Sequence, residues 1–106
     1  MGTKSNSTTR FELGQLYVTP NAQAALERYQ INPLLLLGRH MTGDWGDVCS
    51  EDAKANEEAL QLGGRLFSVY VLPSPQGMLE ALAPIKVWII TEADRSATTL
   101  LLPEDY

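Results

Sequence analysis

One cysteine and one histidine are all that 106 residues contain of either type. A lone Cys49 excludes an internal disulfide, and the chain has no Cys/His cluster of zinc-ligand spacing. No cationic neighbour stands beside Cys49 to favour its thiolate, so it reads as a small loop residue. Long hydrophobic runs are missing too. The longest, Pro33 to Leu37, is too short to cross a bilayer. Positive charge is scarce: 8 Lys and Arg stand against 13 Asp and Glu, a net charge of −5. That balance disfavours a dedicated duplex-binding module, leaves room for a small local basic site, and suits a protein that meets basic protein surfaces. Phosphate-cradling glycine loops, nucleophile elbows and metalloprotease helices are absent. No metal or cofactor is expected. The polar start, residues 1–10, lacks the apolar core of a signal peptide and reads as a disordered arm. A single domain over 11–106 follows, expected to be cytoplasmic, and the sequence leaves its oligomeric state open.

What is present is an ordinary globular composition, 44% hydrophobic and 20% charged. Phe11 to Val18 reads as a first strand weakened by Gly14. Thr19-Pro20 and Asn32-Pro33 each pair a capping residue with proline at the first helical position. They predict helices from Pro20 to Gln30 and from Pro33 to Met41. Ala22, Ala25, Leu26 and Tyr29 form the buried stripe of the first, and Leu34, Leu35 and Leu37 the apolar surface of the second. Ser50 is expected to cap a third helix, with a seam of Ala55, Ala59 and Leu62 and a stop at Gly63. Arg65 to Leu72 alternates as a strand, with Phe67, Val69 and Val71 on one face and Leu66, Ser68, Tyr70 and Leu72 on the other. Residues 78–83 read as a short helical turn or a flexible excursion. Val87 to Thr91 and Ala97 to Leu102 flank Glu92-Ala-Asp-Arg-Ser96 as a hairpin. The fold class is α+β: three short helices packed on an antiparallel sheet that ends in a C-terminal meander. The expected core is Leu13, Leu26, Leu35, Leu37, Leu60, Phe67, Val69, Val87, Ile89 and Leu101.

His40 is the only side chain with an ordinary pKa near neutrality, which makes it the acid/base candidate; its place in the last turn of a helix also favours the helix dipole. Arg65, Ser68, Thr91, Arg95 and Thr98 lie on neighbouring strands and the hairpin tip. Together they can line a cationic, hydroxyl-rich patch for a phosphate. Asp44 and Asp47 flank Trp45-Gly46. Two carboxylates are too few for calcium, so the loop predicts a buried Trp45 with both aspartates accepting backbone N–H groups and no metal bound.

Two resemblances add to this. Arg39-His-Met-Thr-Gly-Asp-Trp-Gly-Asp47, Ala55-Asn-Glu-Glu-Ala-Leu60, Gly63-Gly-Arg-Leu-Phe-Ser-Val-Tyr70 and Trp88-Ile-Ile-Thr-Glu-Ala-Asp-Arg-Ser96 resemble a family of small, uncharacterised bacterial proteins carried on plasmids, in phages and in other mobile regions. That resemblance implies no particular activity. Ile90-Thr-Glu-Ala-Asp-Arg-Ser-Ala-Thr98 is similar to the closing hairpin of barnase-like ribonucleases, with Arg95 standing where those enzymes carry a histidine. The second resemblance implies an RNA-directed protein, a metal-independent endoribonuclease or an RNA-binding relative. His40 and Arg95 would be its catalytic pair, and Arg65, Ser68, Thr91 and Thr98 would bind the phosphate. The alternative partner is a host protein: a small acidic chain without a complete catalytic set suits a non-catalytic inhibitor of a host defence system, of the anti-restriction or anti-CRISPR kind. No membrane partner is expected.

Overall fold

Thr19 and Asn32 stand in extended backbone before their prolines, and their side chains accept the N–H groups of Ala22 and Leu34. These caps start helices α1 (Pro20–Arg28) and α2 (Pro33–Met41) where the sequence places them. The computed structural model describes residues 9–77 and 79–106. The expected N-terminal arm lies outside them except for Thr9 and Arg10, and Arg10 is tied down: its N–H donates to the carbonyl of Met41, and its guanidinium pairs with Glu57 at 2.8 Å. α1 stops short of Gln30 because Gln30 takes a left-handed φ of 59°. Helix α3 (Ser50–Leu62) has Cys49, not Ser50, at its cap position, with no side-chain bond there. Its start rests instead on Glu51 and Asp52 in the first turn, where carboxylates favour the dipole. The 78–83 excursion forms no helix among its described residues.

Four strands form one sheet: β1 (Gln15–Val18), β2 (Leu66–Leu72), β3 (Ile85–Thr91) and β4 (Ala97–Leu101), in the spatial order β1-β4-β3-β2. β2, β3 and β4 make the expected antiparallel meander. β1 adds to β4 in parallel, so the α+β fold carries a mixed sheet rather than a wholly antiparallel one. β1 is also shorter than Phe11 to Val18. Gly14 turns the chain at φ 67°, so close to the hairpin tip that a Cβ would sit 2.4 Å from the Ser96 carbonyl.

One face of the sheet carries the helices. Leu66, Tyr70, Leu72, Val87, Ile89 and Leu100 are buried there with the α1 stripe and with Leu36 and Leu37 of α2. Leu35, expected in the core, is 65% exposed, and Leu36 takes its place at 5%. Of the other expected core residues, Leu26, Leu37, Val69, Val87, Ile89 and Leu101 are buried, while Leu13, Leu60 and Phe67 are partly buried. On α3 the seam shifts by one position: Asn56 and Ala59 are buried and Leu62 is exposed. The opposite face of the sheet holds Phe67, Val69, Trp88, Ile90 and Leu101, and the C-terminal turn Pro103–Asp105 brings Tyr106 against it.

The two outer strands end the sheet differently. The outward groups of Phe67 and Val69 on β2 are occupied. The Asn56 amide donates to the Phe67 carbonyl at 2.7 Å and accepts its N–H at 3.0 Å. Val69 donates to Trp45 and accepts from Asp47, through a bridge that Gly46 permits by passing where a Cβ would strike the Val69 carbonyl. On β1, Gln15 and Thr19 donate inward to Ser96 and Leu100, so the intervening Leu16 and Val18 direct their backbone groups away from the sheet.

Candidate functional site

Each strand of the meander contributes one hydroxyl to the helix-covered face, and α2 brings His40 down onto them. His40 Nδ1 lies 2.5 Å from Ser68 Oγ, and Nε2 lies 2.9 Å from Thr91 Oγ1. Thr91 Oγ1 is 2.7 Å from Thr98 Oγ1, and Thr98 donates to the Leu13 carbonyl at 2.7 Å. Four of the six residues predicted from sequence as site residues therefore meet in one chain of hydrogen bonds. All four are fully buried, at 0% exposure.

The direction of that chain follows from counting protons. A carbonyl only accepts, so the Thr98 hydroxyl hydrogen goes to Leu13. Thr91 must then donate to Thr98. With its hydrogen spent, Thr91 accepts from His40, so Nε2 carries the proton. Nδ1 of a neutral imidazole is an acceptor, and the Ser68 hydroxyl donates to it. A neutral His40 thus satisfies every contact. Burial lowers its pKa, with the nearby Arg95 guanidinium as a second cause, to about 4. The ring is packed edge-on against Phe11 at 5.1 Å and Trp45 at 5.8 Å, both of the smaller hydrophobic cluster. This arrangement locks α2 to β2, β3 and β4.

Arg95 and Arg65 lie outside that chain. Arg95, in left-handed backbone at φ 62°, turns its guanidinium inward onto carbonyls. It donates to Gly64 at 2.6 Å, to Glu92 and Ala93 at 3.0 Å, and to Ala59 at 3.1 Å. It fastens the hairpin tip to the end of α3, where backbone carbonyls favour a cation. Its guanidinium carbon sits 5.8 Å from the Phe11 ring. Arg65 is exposed, donates to the Tyr106 hydroxyl at 3.2 Å and pairs with Glu92 at 3.6 Å. Both partners raise its pKa, Tyr106 more than Glu92.

The loop after α2 holds Trp45 at 6% exposure, its indole N–H donating to Glu57. Asp44 accepts the Gly46 N–H as expected, and also binds Arg39 at 2.7 Å, which pulls its pKa down. Asp47 departs from expectation: its carboxylate faces Lys86 at 3.5 Å and takes no backbone N–H among the described residues. Among the described residues no group of three or more His, Cys, Asp or Glu side chains is placed to hold a metal. Among the described residues no helix is long and apolar enough to cross a membrane.

The feature that sequence reasoning missed lies on the other face of the sheet. Phe67 and Trp88 meet edge-on at 5.1 Å, and Trp88 meets Tyr106 at 5.7 Å. With Ile90, Arg65 and Asp52 they line a recess of about 270 Å³. The available signal was the phase of β2 and β3: Phe67, Trp88 and Ile90 share the face opposite Ser68 and Thr91. Neither a family model, nor a curated protein, nor a solved structure matches the chain.

Proposed function

We propose that this protein acts by binding rather than by catalysis, and that its partner is a protein with a basic surface. The observation that carries this reading is the disposition of its charges. His40 is sealed and saturated, and Arg95 is consumed by carbonyls. Arg10, Arg39, Arg65 and Lys86 each already face a carboxylate. Few cations remain for the phosphates of a nucleic acid, whereas Glu51, Asp52 and Glu58 of α3 stand in solvent with no ion-pair partner among the described residues.

Asp52 joins that acidic turn to the aromatic recess, so one surface offers both a carboxylate and the rings of Trp88 and Tyr106. Aromatic residues concentrate the binding energy of protein interfaces, and a partner's Arg or Lys stacks well on an indole beside a carboxylate. Nucleases that hold phosphates present the basic surface such a protein fits. With the resemblance to plasmid- and phage-borne proteins, a host defence nuclease is the partner class to try first.

The test is retention from a cell extract on the immobilised chain, run beside an RNA-cleavage assay. Support is a partner retained by the unaltered protein, released by salt, and lost in Asp52→Lys and Trp88→Ala, with RNA left intact. RNA cleavage that disappears in His40→Ala would overturn it and restore the ribonuclease reading, whose support is the convergence of His40, Ser68, Thr91 and Thr98.

A further inference from the structure

We infer that β1 is a self-association edge: two copies of the chain pair through it, antiparallel about a two-fold axis at Tyr17, into one continuous sheet. The inference is independent of the proposed partner, which uses the opposite side of the sheet order.

The backbone geometry selects the occupant. The groups of β1 that point outward belong to Leu16 and Val18, and no described residue bonds them. An unpaired row of N–H and C=O groups is a template for another strand. In antiparallel pairing of β1 with itself about Tyr17, Leu16 falls opposite Val18 of the second copy, and Val18 opposite its Leu16. Both are outward-facing residues, and such pairs exchange both of their hydrogen bonds. The strand is therefore complementary to itself in a register fixed by symmetry. Tyr17 then meets Tyr17 of the second copy in a non-hydrogen-bonded pair, where side chains approach most closely.

Charge and side chains agree with this register. Gln15–Val18 contains no charged residue, so pairing meets no repulsion at the seam in a molecule of net charge −5. Natural edges are blunted by lysine, proline or bulges, and β1 has none of these within it. Its apolar side chains are open to solvent: Leu16 is 42%, Tyr17 54% and Val18 38% exposed. The apolar surface continues from Val18 past Leu26 and Ile31 to Pro33, in a groove of about 400 Å³ that a second copy's Leu16 and Val18 would border. β2, at the other end of the sheet, has its edge blocked by Asn56 and the Trp45–Asp47 turn. The middle of that edge is closed at Phe67 and Val69, so a second sheet finds its continuous open edge at β1.

Sedimentation equilibrium on the full chain over a wide concentration range tests the pairing. The expected result is a reversible doubling of mass, with the dissociation constant raised at least tenfold by Leu16→Lys and left unchanged by Val71→Lys, on the opposite outer strand. A cross-link covers the case in which Leu16→Lys does not fold. In a Cys49→Ser background, Tyr17→Cys should oxidise to a covalent dimer, whereas Val71→Cys should not. A chain that stays monomeric at millimolar concentration overturns the inference. So does a dimer that survives Leu16→Lys or cross-links equally well from position 71. A monomer in which the Leu16 and Val18 amides exchange slowly with solvent would assign the edge to a segment of the same chain, and would overturn it too.

Discussion

The two outer strands of the sheet are treated in opposite ways. β2 is closed along its middle: a buried asparagine side chain and a tryptophan-anchored turn occupy the outward groups of Phe67 and Val69, and a histidine bonds the strand from above. Among the described residues β1 is held from one side only, and all four of its residues are exposed. Local strand propensity does not separate them, since both are rich in β-branched and aromatic residues. The difference comes from what the rest of the chain brings to each edge. Polar groups that would be a liability in solvent become a means of closing an edge when a helix delivers them at the right height.

The largest effect on this contrast should come from removing the anchor of the closed edge. Trp45→Ala should cost ~3–5 kcal/mol in denaturant unfolding, as other large-to-small changes at buried sites do. The loss should be accompanied by faster amide exchange at Phe67 and Val69. If Trp45→Ala left those amides protected, the turn would not depend on its indole. A second test uses acid. An unfolded histidine titrates near 6.5, whereas His40 in the fold titrates at about 4. Above pH 6.5 both states are neutral and the full contribution is present. As pH falls from 6.5 to 4, the unfolded chain takes up a proton that the fold refuses, and about 3 kcal/mol of stability is lost, at ~1.4 kcal/mol per unit. Asp44 and Glu57, held below the usual carboxylate range by Arg39 and Arg10, lose their contribution only at lower pH. NMR titration of the only histidine reads the pKa directly, and a value near 6.5 would mean that the ring is not sealed.

Asn56→Ala should cost ~2–3 kcal/mol, because it strips a backbone donor and a backbone acceptor of their partner at a buried edge. The smallest change is expected on the open side. Tyr17→Ala should alter the unfolding free energy of the monomer by no more than ~0.5 kcal/mol, as exposed substitutions do. A large loss there would mean that β1 contributes to the fold as β2 does, and the contrast would fail.

The legible parts of the fold were those with a phase. Ala22, Ala25, Leu26 and Tyr29 recur at helical spacing, and all four are buried. Leu34 to Leu37 carry no phase, since a run of leucines looks the same from every side. The rotation of α2 is set by His40 reaching Ser68 and Thr91, and so Leu35 faces solvent while Leu36 is buried. On α3 the Asn56 amide must reach the Phe67 backbone, which turns Leu62 outward. Strand alternation and hairpin register were enough to group Ser68, Thr91 and Thr98 on neighbouring strands. They did not reveal that this row faces the helices. A row of hydroxyls has the same spacing whether water or a histidine satisfies it, and only the helix above distinguishes the two.

Gly14 and the bond from Thr98 to Leu13 have a consequence for the order of assembly. That contact spans 85 residues, and among the described residues β1 has no ladder except the one β4 provides. Pairings so distant in sequence carry a large loop-closure cost and form late. The hairpin of β3 and β4, joined by a short turn, can close early, and the left-handed crossing at Gly14 fits only against a tip already shaped by Arg95 and Ser96. The strand nearest the start of the chain is therefore the last to be placed. Until the hairpin of β3 and β4 has closed, β1 is an uncharged strand with no partner to pair with.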